Sequence, residues 1–271
     1  MRVICIGAHP DDCEIEFGGT AAKLVARGDA VKFVSVTNGE AGHHLYSGRD
    51  LVTIRQREAE EAARRLGISA TEVLQNRDGQ LTPSIDARYE IIRGIRAWEA
   101  DVVITHRPWD YHPDHRATGQ LVQDAAYLVM VPHVCPDAPA LHRCPVFFHL
   151  EDSFRVPAPF KADIAVDVDD VWERKLDALD AHRSQVYEWL PWVDGATNGE
   201  TEGDKVPDDP AARRKWLDIT WSREPSLCTR AALARRYGAE CAARVRHAEA
   251  FELSEYGRRP SPDELDEMFP R

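Results

Sequence analysis

No stretch of this chain is apolar for the roughly 20 residues that a bilayer-spanning helix requires, so no membrane span is expected. The N-terminal run in MRVICIGAHPDD is short, meets charged residues at once and lacks a small-residue cleavage site. It does not read as a secretion signal. Basic charge is scarce: 34 Lys and Arg face 46 Asp and Glu, a formal net charge of -12. Such a balance repels phosphate backbones at long range and argues against nucleic acid as a partner. An anionic small molecule stays compatible, because one local Arg or a helix N-terminus can hold it. The six cysteines form no CxxC pair and no regular framework, so they read as reduced thiols of a cytoplasmic protein. A glycine fingerprint for dinucleotides is missing too. GAHPDDCEIEFGG puts acids where a pyrophosphate would lie.

What is present is an alternation of strand and helix. RVICIG (2–7) reads as a buried strand, 16–27 as a helix stopped by Gly28, and AVKFVSVT (30–37) as a second strand. After the Gly- and His-rich loop NGEAGHHLYSG come helix 51–66, closed by Gly67, strand 71–75, helix 84–98 and strand 101–105. This order predicts an α/β fold, a Rossmann-like, mostly parallel sheet with helices on both faces. The pattern then loosens. A helix is expected over 112–131, strands at 146–150 and 163–168, and helices over 169–186 and around 211–222. Residues 194–210 read as a loop and AEAFELSEY as an edge strand or cap. A chain of 271 residues suits a single domain, with a metal-binding core over 1–130 and a C-terminal appendage over 131–271. Self-association is left open.

The chemistry sits at two strand ends. The first strand runs into Ala8-His9-Pro10-Asp11-Asp12-Cys13-Glu14, and DVVIT runs into HRPWDYHPDH, residues 106–115. Parallel sheets bind ligands beyond their carboxyl strand ends, so neighbouring first and fourth strands would bring these loops face to face. Pro113 suits the first position of a helix, which sets His112 at the cap and His115 one turn in, on the same side. One of the two can then bind metal while the other touches substrate. A catalytic zinc takes three imidazole or carboxylate ligands and keeps one open position. His9, Asp12 and His115 would supply that set, leaving Asp11 free to take a proton. Ferrous iron suits the same ligands.

With these motifs, the Gly-Gly helix, the TNGEAG loop and the IRQREAEEAARRLG helix, the sequence over roughly 1–130 resembles the PIG-L/LmbE family of zinc-dependent N-acetylglucosaminide deacetylases. The resemblance implies metal ligands at His9, Asp12 and His115, Asp11 as general base, and His112 stabilising the oxyanion, as imidazolium in one form of the idea. It also implies that Arg55 and Asp78 help hold the sugar. The substrate would be a small N-acetylated sugar or sugar conjugate. Residues 186–222 have no counterpart in this resemblance.

Plainer readings stand beside these. Arg55 lies among many charges on an amphipathic helix, where most arginines are solvated. Asp78 in NRDG could be a turn former. Asp114 suits a helix start. The remaining histidines read as structural, with His106 the one candidate to support the ligands. Trp189, Trp192, Trp216 and Trp221 could pave a sugar-binding or lipid-facing surface, but read first as packing residues. Two functional rivals share or relax the same motifs: a zinc amidase acting on another amide conjugate, and a metal- or sugar-binding protein without turnover. Asp11 and His112 speak against the second, since neither is needed merely to hold metal.

Overall fold

In the computed structural model, which describes residues 1–198 and 206–271, strand β1 (Arg2–Gly7) lies inside a seven-stranded sheet. Strands β2 (Ala30–Thr37) and β4 (Val102–Thr105) flank it, both parallel. Strands β3 (Ala70–Asn76) and β5 (Val146–Leu150) continue the sheet on either side, again in parallel. The chain therefore changes direction across the sheet between β1 and β4, the crevice that the two His/Asp loops were expected to share.

Every second β1 side chain goes to a different layer, as the two-residue period of a strand demands. Val3 and Cys5 pack with Phe17 and Leu24 of α1 (Asp12–Arg27), Leu66 of α2 (Gly48–Leu66) and Leu176 and Leu179 of α5 (Trp172–Ala181). Ile4 and Ile6 face Ile91, Ile92 and Ile95 of α3 (Ile85–Ala97) and Leu121 and Val122 of α4 (Pro113–Leu128). Both faces of the strand are thus covered, which is why it reads as a continuous apolar run. Burying each large aliphatic or aromatic side chain contributes about 1.5–3 kcal/mol. Gly28 and Gly67 end α1 and α2 with φ of 95° and 72°, a left-handed turn that costs glycine nothing.

The C-terminal part completes the same sheet in the order β3-β2-β1-β4-β5-β7-β6. Strand β6 (Ile164–Asp167) forms the edge, and β7 (Ala248–Gly257) is inserted between β5 and β6, antiparallel to both. The AEAFELSEY segment is therefore an interior strand, not an edge. Its Ala248, Ala250 and Phe251 are buried under helix α8 (Leu227–Tyr237) or against the main core.

Two further expectations change. The helix foreseen over 169–186 is a 3-10 turn at Asp169–Val171, then α5, then a break at His182. A π-helical turn, Ser184–Trp189, follows and leads into α6 (Leu190–Asn198). Of the loop foreseen over 194–210, residues 194–198 belong to α6 and Pro210 opens α7 (Pro210–Thr220), while 199–205 lie outside the described residues. The short α9 (Ala239–Ala242) and α10 (Pro262–Met268) complete the order. Among the described residues, no helix is long and apolar enough to cross a membrane.

Candidate metal centre

The loop after β1 is pinned before it turns. Ala8 O accepts both the backbone N–H and the hydroxyl of Thr37 at the end of β2, each at 2.8 Å, and Ser35 Oγ donates to His9 O. The turn itself is strained: Asp11 is a non-glycine residue at φ 152°. Such conformations persist only where surrounding contacts hold them. Arg55 provides the hold, donating from Nη2 to Pro10 O at 3.0 Å and standing 3.2 Å from Asp11 Oδ2. Arg55 is 2% exposed, so the solvated-helix reading fails for it.

Within this turn the two oxygens of Asp12 have different jobs. Oδ2 accepts the backbone N–H groups of Ala8 and His9 at 2.8 and 2.7 Å. Oδ1 points the other way, 3.4 Å from His115 Nε2. His9 Nδ1 lies 3.2 Å from the same His115 Nε2 and 3.5 Å from Asp12 Oδ2. Ligands held about 2.1 Å from a tetrahedral zinc stand about 3.4 Å apart, close to the spacing of His115 Nε2 from His9 Nδ1 and from Asp12 Oδ1.

The residues draw three overlapping donor groups: His9, His112 and His115; Asp12, His106 and His115; and His9, Asp78 and Asp114. Their hydrogen bonds rank them. His106 Nε2 already meets the Ala8 N–H and Asp12 Oδ2, both at 3.1 Å, and its ring stacks on His115 at 4.1 Å. His106 thus braces the β1 turn, Asp12 and His115. His112 caps α4, its Nδ1 accepting the Asp114 N–H at 3.2 Å, with Pro113 as the first helical residue. That hydrogen bond leaves its Nε2 as the protonated, donating nitrogen. His9 and His115 each belong to two of these groups and Asp12 to one.

Carboxylates stand behind both imidazoles. Asp110 Oδ1 lies 3.1 Å from His115 Nδ1, and Asp78 Oδ1 and Asp114 Oδ2 lie 3.3 and 3.4 Å from His9 Nε2. Asp114 is more than a helix-start acid: it is buried and also accepts the Gly79 and Leu81 N–H groups. Asp78 is buried beneath Ala41, whose N–H it accepts at 3.2 Å. It therefore approaches His9 as well as the cavity, and is not only a turn former. Asp110 was missed by the sequence reading, although it sits just two residues before the HPDH motif. Metal-ligating histidines generally carry such a carboxylate on their second nitrogen.

Charge in the site follows this crowding. Burial opposes protonation of His9, but Asp114, Asp12 and Asp78 prevail and raise it well above its usual range. Burial likewise opposes His115, yet Asp12 and Asp110 raise it to about 9. Both imidazoles thus call for positive charge, which protons or a metal cation can provide. Burial pushes Asp11 up to about 6 against the pull of Arg55. Burial, with His9 and His115 nearby, lowers His112 to about 4, so at neutral pH it is a neutral donor and not the imidazolium entertained above.

All seven residues singled out in the sequence, His9, Asp11, Asp12, Arg55, Asp78, His112 and His115, line one cavity of about 900 Å³. The sequence reading did not foresee its other walls. Arg107, Asp152 and Phe154 come from the ends of β4 and β5, Gln185 and Trp189 from the π-helical turn, and Trp221 and Arg223 from the segment after α7.

Comparison with known proteins identifies the family of the chain. The family model described as PIG-L, GlcNAc-PI de-N-acetylase, matches residues 4–126. A diacetylchitobiose deacetylase of Thermococcus kodakarensis is 32% identical over 202 residues, covering 70% of this chain and 73% of that protein. A probable N-acetyl-alpha-D-glucosaminyl L-malate deacetylase 2 of Bacillus cereus is 28% identical over 226 residues, covering 80% of this chain and 94% of that one. Among solved structures, the N,N'-diacetylchitobiose deacetylase of Pyrococcus horikoshii superposes with a TM-score of 0.67 at 28% identity, over 93% of this chain and 83% of that one. With the paired loops facing each other across β1 and β4, and similarity that runs well past the matched segment, the chain belongs to the PIG-L/LmbE family of deacetylases.

Proposed function

We propose that this protein removes the acetyl group from an N-acetylglucosamine-type sugar or sugar conjugate, using a divalent metal, zinc or ferrous iron, held by His9, Asp12 and His115. The observation that carries the reading is the approach of His115 Nε2 to His9 Nδ1 at 3.2 Å and to Asp12 Oδ1 at 3.4 Å, with Asp11 and His112 lining the same cavity. The named activities of the relatives support the substrate class, since they are deacetylases of chitobiose and N-acetylglucosaminyl compounds.

A bound divalent metal would supply Lewis acidity, polarising the acetamide carbonyl and making water a competent nucleophile at neutral pH. The chain does the rest. Asp11, braced by Arg55 through Oδ2, takes a proton from the attacking water. As the water oxygen bonds to the carbonyl carbon, negative charge builds on the carbonyl oxygen, and the Nε2–H of neutral His112 donates to it. Cleavage of the carbon–nitrogen bond follows, and Asp11 returns the proton to the departing amine. The products are acetate and a free amino sugar. Asp110, Asp78 and Asp114 keep the ligand imidazoles in the tautomer and orientation this requires.

The test is acetate release by metal-loaded protein over a panel of N-acetylated sugars and sugar conjugates, beside amides that carry no sugar. Release from at least one N-acetylhexosamine compound is expected. Turnover confined to other amides would replace the substrate class, and full activity in metal-free protein would overturn the mechanism.

A further inference from the structure

The π-helical turn Ser184–Trp189 spans the end of the helix foreseen over 169–186 and the start of the segment without counterpart in the resemblance, and two of its residues line the cavity of the metal centre. π-helical turns are uncommon and concentrate at functional sites. Gln185 is 2% exposed. Its Nε2 donates to Gly42 O at 3.0 Å, while among the described residues its Oε1 has no hydrogen-bond partner in the protein. That oxygen belongs to a polar niche left open by Gly42. A Cβ on Gly42 would stand 3.1 Å from Arg55 Nη1, 3.4 Å from Asp78 Oδ2 and 3.8 Å from Gln185 Oε1. One donor and two acceptors thus surround a space that a side chain at position 42 would invade.

Four residues further on, Trp189 lines the same cavity, and its ring belongs to a stack. Trp189 lies on Trp192 at 5.4 Å, Trp192 on His44 at 5.0 Å with the planes 3° apart, and His44 on His43 at 4.7 Å. His43 is fixed in turn. Its Nδ1 accepts the backbone N–H groups of Leu45 and Tyr46, so its Nε2 carries the proton and donates to Glu188 of the π-helical turn at 3.1 Å. The Gly- and His-rich loop after β2, the π-helical turn and the start of α6 are therefore joined into one wall, polar at Gln185 and aromatic at Trp189. A pyranose has the matching character, with hydroxyls around its rim and apolar C–H faces.

We propose that the π-helical turn supplies this chain's own part of the sugar subsite. Gln185 accepts a ring hydroxyl beside Arg55 and Asp78, and Trp189 is the platform for the apolar face of a pyranose ring. The proposal rests on the deacetylase reading for its substrate class, and its test separates binding from turnover. N-acetylglucosamine is titrated calorimetrically into metal-loaded Asp11→Ala protein, alone and combined with Trp189→Ala, Trp189→Phe or Gly42→Ala. Metal content and thermal unfolding are measured on each variant. Trp189→Ala should weaken binding about three- to tenfold, the loss expected for an aromatic contact. Trp189→Phe should recover most of that affinity. Gly42→Ala, which removes no polar group but fills the niche, should weaken binding at unchanged metal content. On the Asp11-intact background, Trp189→Ala should raise KM for the sugar more than it lowers kcat. Binding that survives both Trp189→Ala and Gly42→Ala would overturn the proposal. If the sugar binds in a Trp189-dependent way but acetate is never released, the subsite stands and the deacetylase reading falls.

Discussion

Asp110 Oδ1 stands 3.1 Å from Nδ1 of His115, on the side of the ring opposite the nitrogen that faces His9 and Asp12. The same carboxylate accepts the N–H of His112, so one side chain orients a ligand and the start of the helix that carries it. Asp110→Ala should therefore weaken metal affinity by about 10–100-fold, the usual cost of losing a carboxylate behind a ligand histidine. Chelator competition with zinc measures this directly. Unchanged affinity would show that His115 is held by its stacking on His106 alone.

Asp11 and Asp12 are adjacent, but their surroundings give them opposite characters. Asp12 lies well below the usual carboxylate range: burial works against its charge, but His115 and His106 prevail. Asp11 is raised to about 6 by burial. An ionised ligand beside a carboxylate that exchanges its proton near neutrality suits a division between holding metal and moving a proton. Asp11→Ala is expected to keep close to one metal per chain and to lose turnover by about 10²–10⁴-fold. Asp12→Ala is expected to lose the metal as well. Metal analysis alongside acetate release separates the two, and metal loss in Asp11→Ala would make Asp11 a ligand.

Much of this site was legible because its primary residues lie in two contiguous motifs at strand ends, where local spacing is also spatial proximity. His9, Asp11 and Asp12 share one turn, and His112 and His115 share one helical turn. The supporting residues carry no such signal. Asp78 reaches His9 from the turn after β3, and Gln185 reaches Gly42 across 143 residues of sequence. Only tertiary packing creates those contacts. The same limit explains the misread C-terminal elements. Helical periodicity continues across His182, so nothing local marks the break before the π-helical turn. Nor does composition tell that β7 is inserted between two strands, because it is buried over Ala248–Phe251 but exposed over its last three residues and so lacks the continuous apolar run of an interior strand.

His149 gives a stability prediction with a defined pH window. It is buried on β5, its Nδ1 donating to His106 O at 3.0 Å, and burial lowers it from 6.5 to about 4. Between those values the unfolded chain binds a proton that the folded chain refuses. Stability therefore rises with pH through this window and is lost as pH falls from 6.5 towards 4. The shift corresponds to about 3 kcal/mol at its acid end. His149→Asn keeps a donor near the Nδ1 position but does not titrate, so its stability should fall less steeply over the same range. Urea unfolding of both proteins from pH 7 to pH 4 checks this, and parallel curves would show that His149 takes no part in the acid limb.

Arg96 carries the last prediction. At the end of α3 it is 2% exposed, and its guanidinium donates to the carbonyls of Leu128, Val129, Val131, Val134, Cys135 and Ala138. These six groups belong to the end of α4 and the turns after it, where helical partners run out. Five N–H groups in one plane reach these six acceptors by sharing, since Nη1 alone faces three, and no other side chain offers as many donors. Arg96→Met would leave several carbonyls buried without a donor, at about 1–3 kcal/mol for each one that water cannot reach. A loss of at least about 3 kcal/mol in urea unfolding is expected. Arg96→Lys restores the charge but offers three donors, so it should recover less than half of that loss. Because α4 also carries His115, both variants should lower metal affinity, Arg96→Met the more strongly. A destabilised protein with wild-type metal affinity would show instead that the turns beyond Leu128 loosen without moving the N-terminal end of α4.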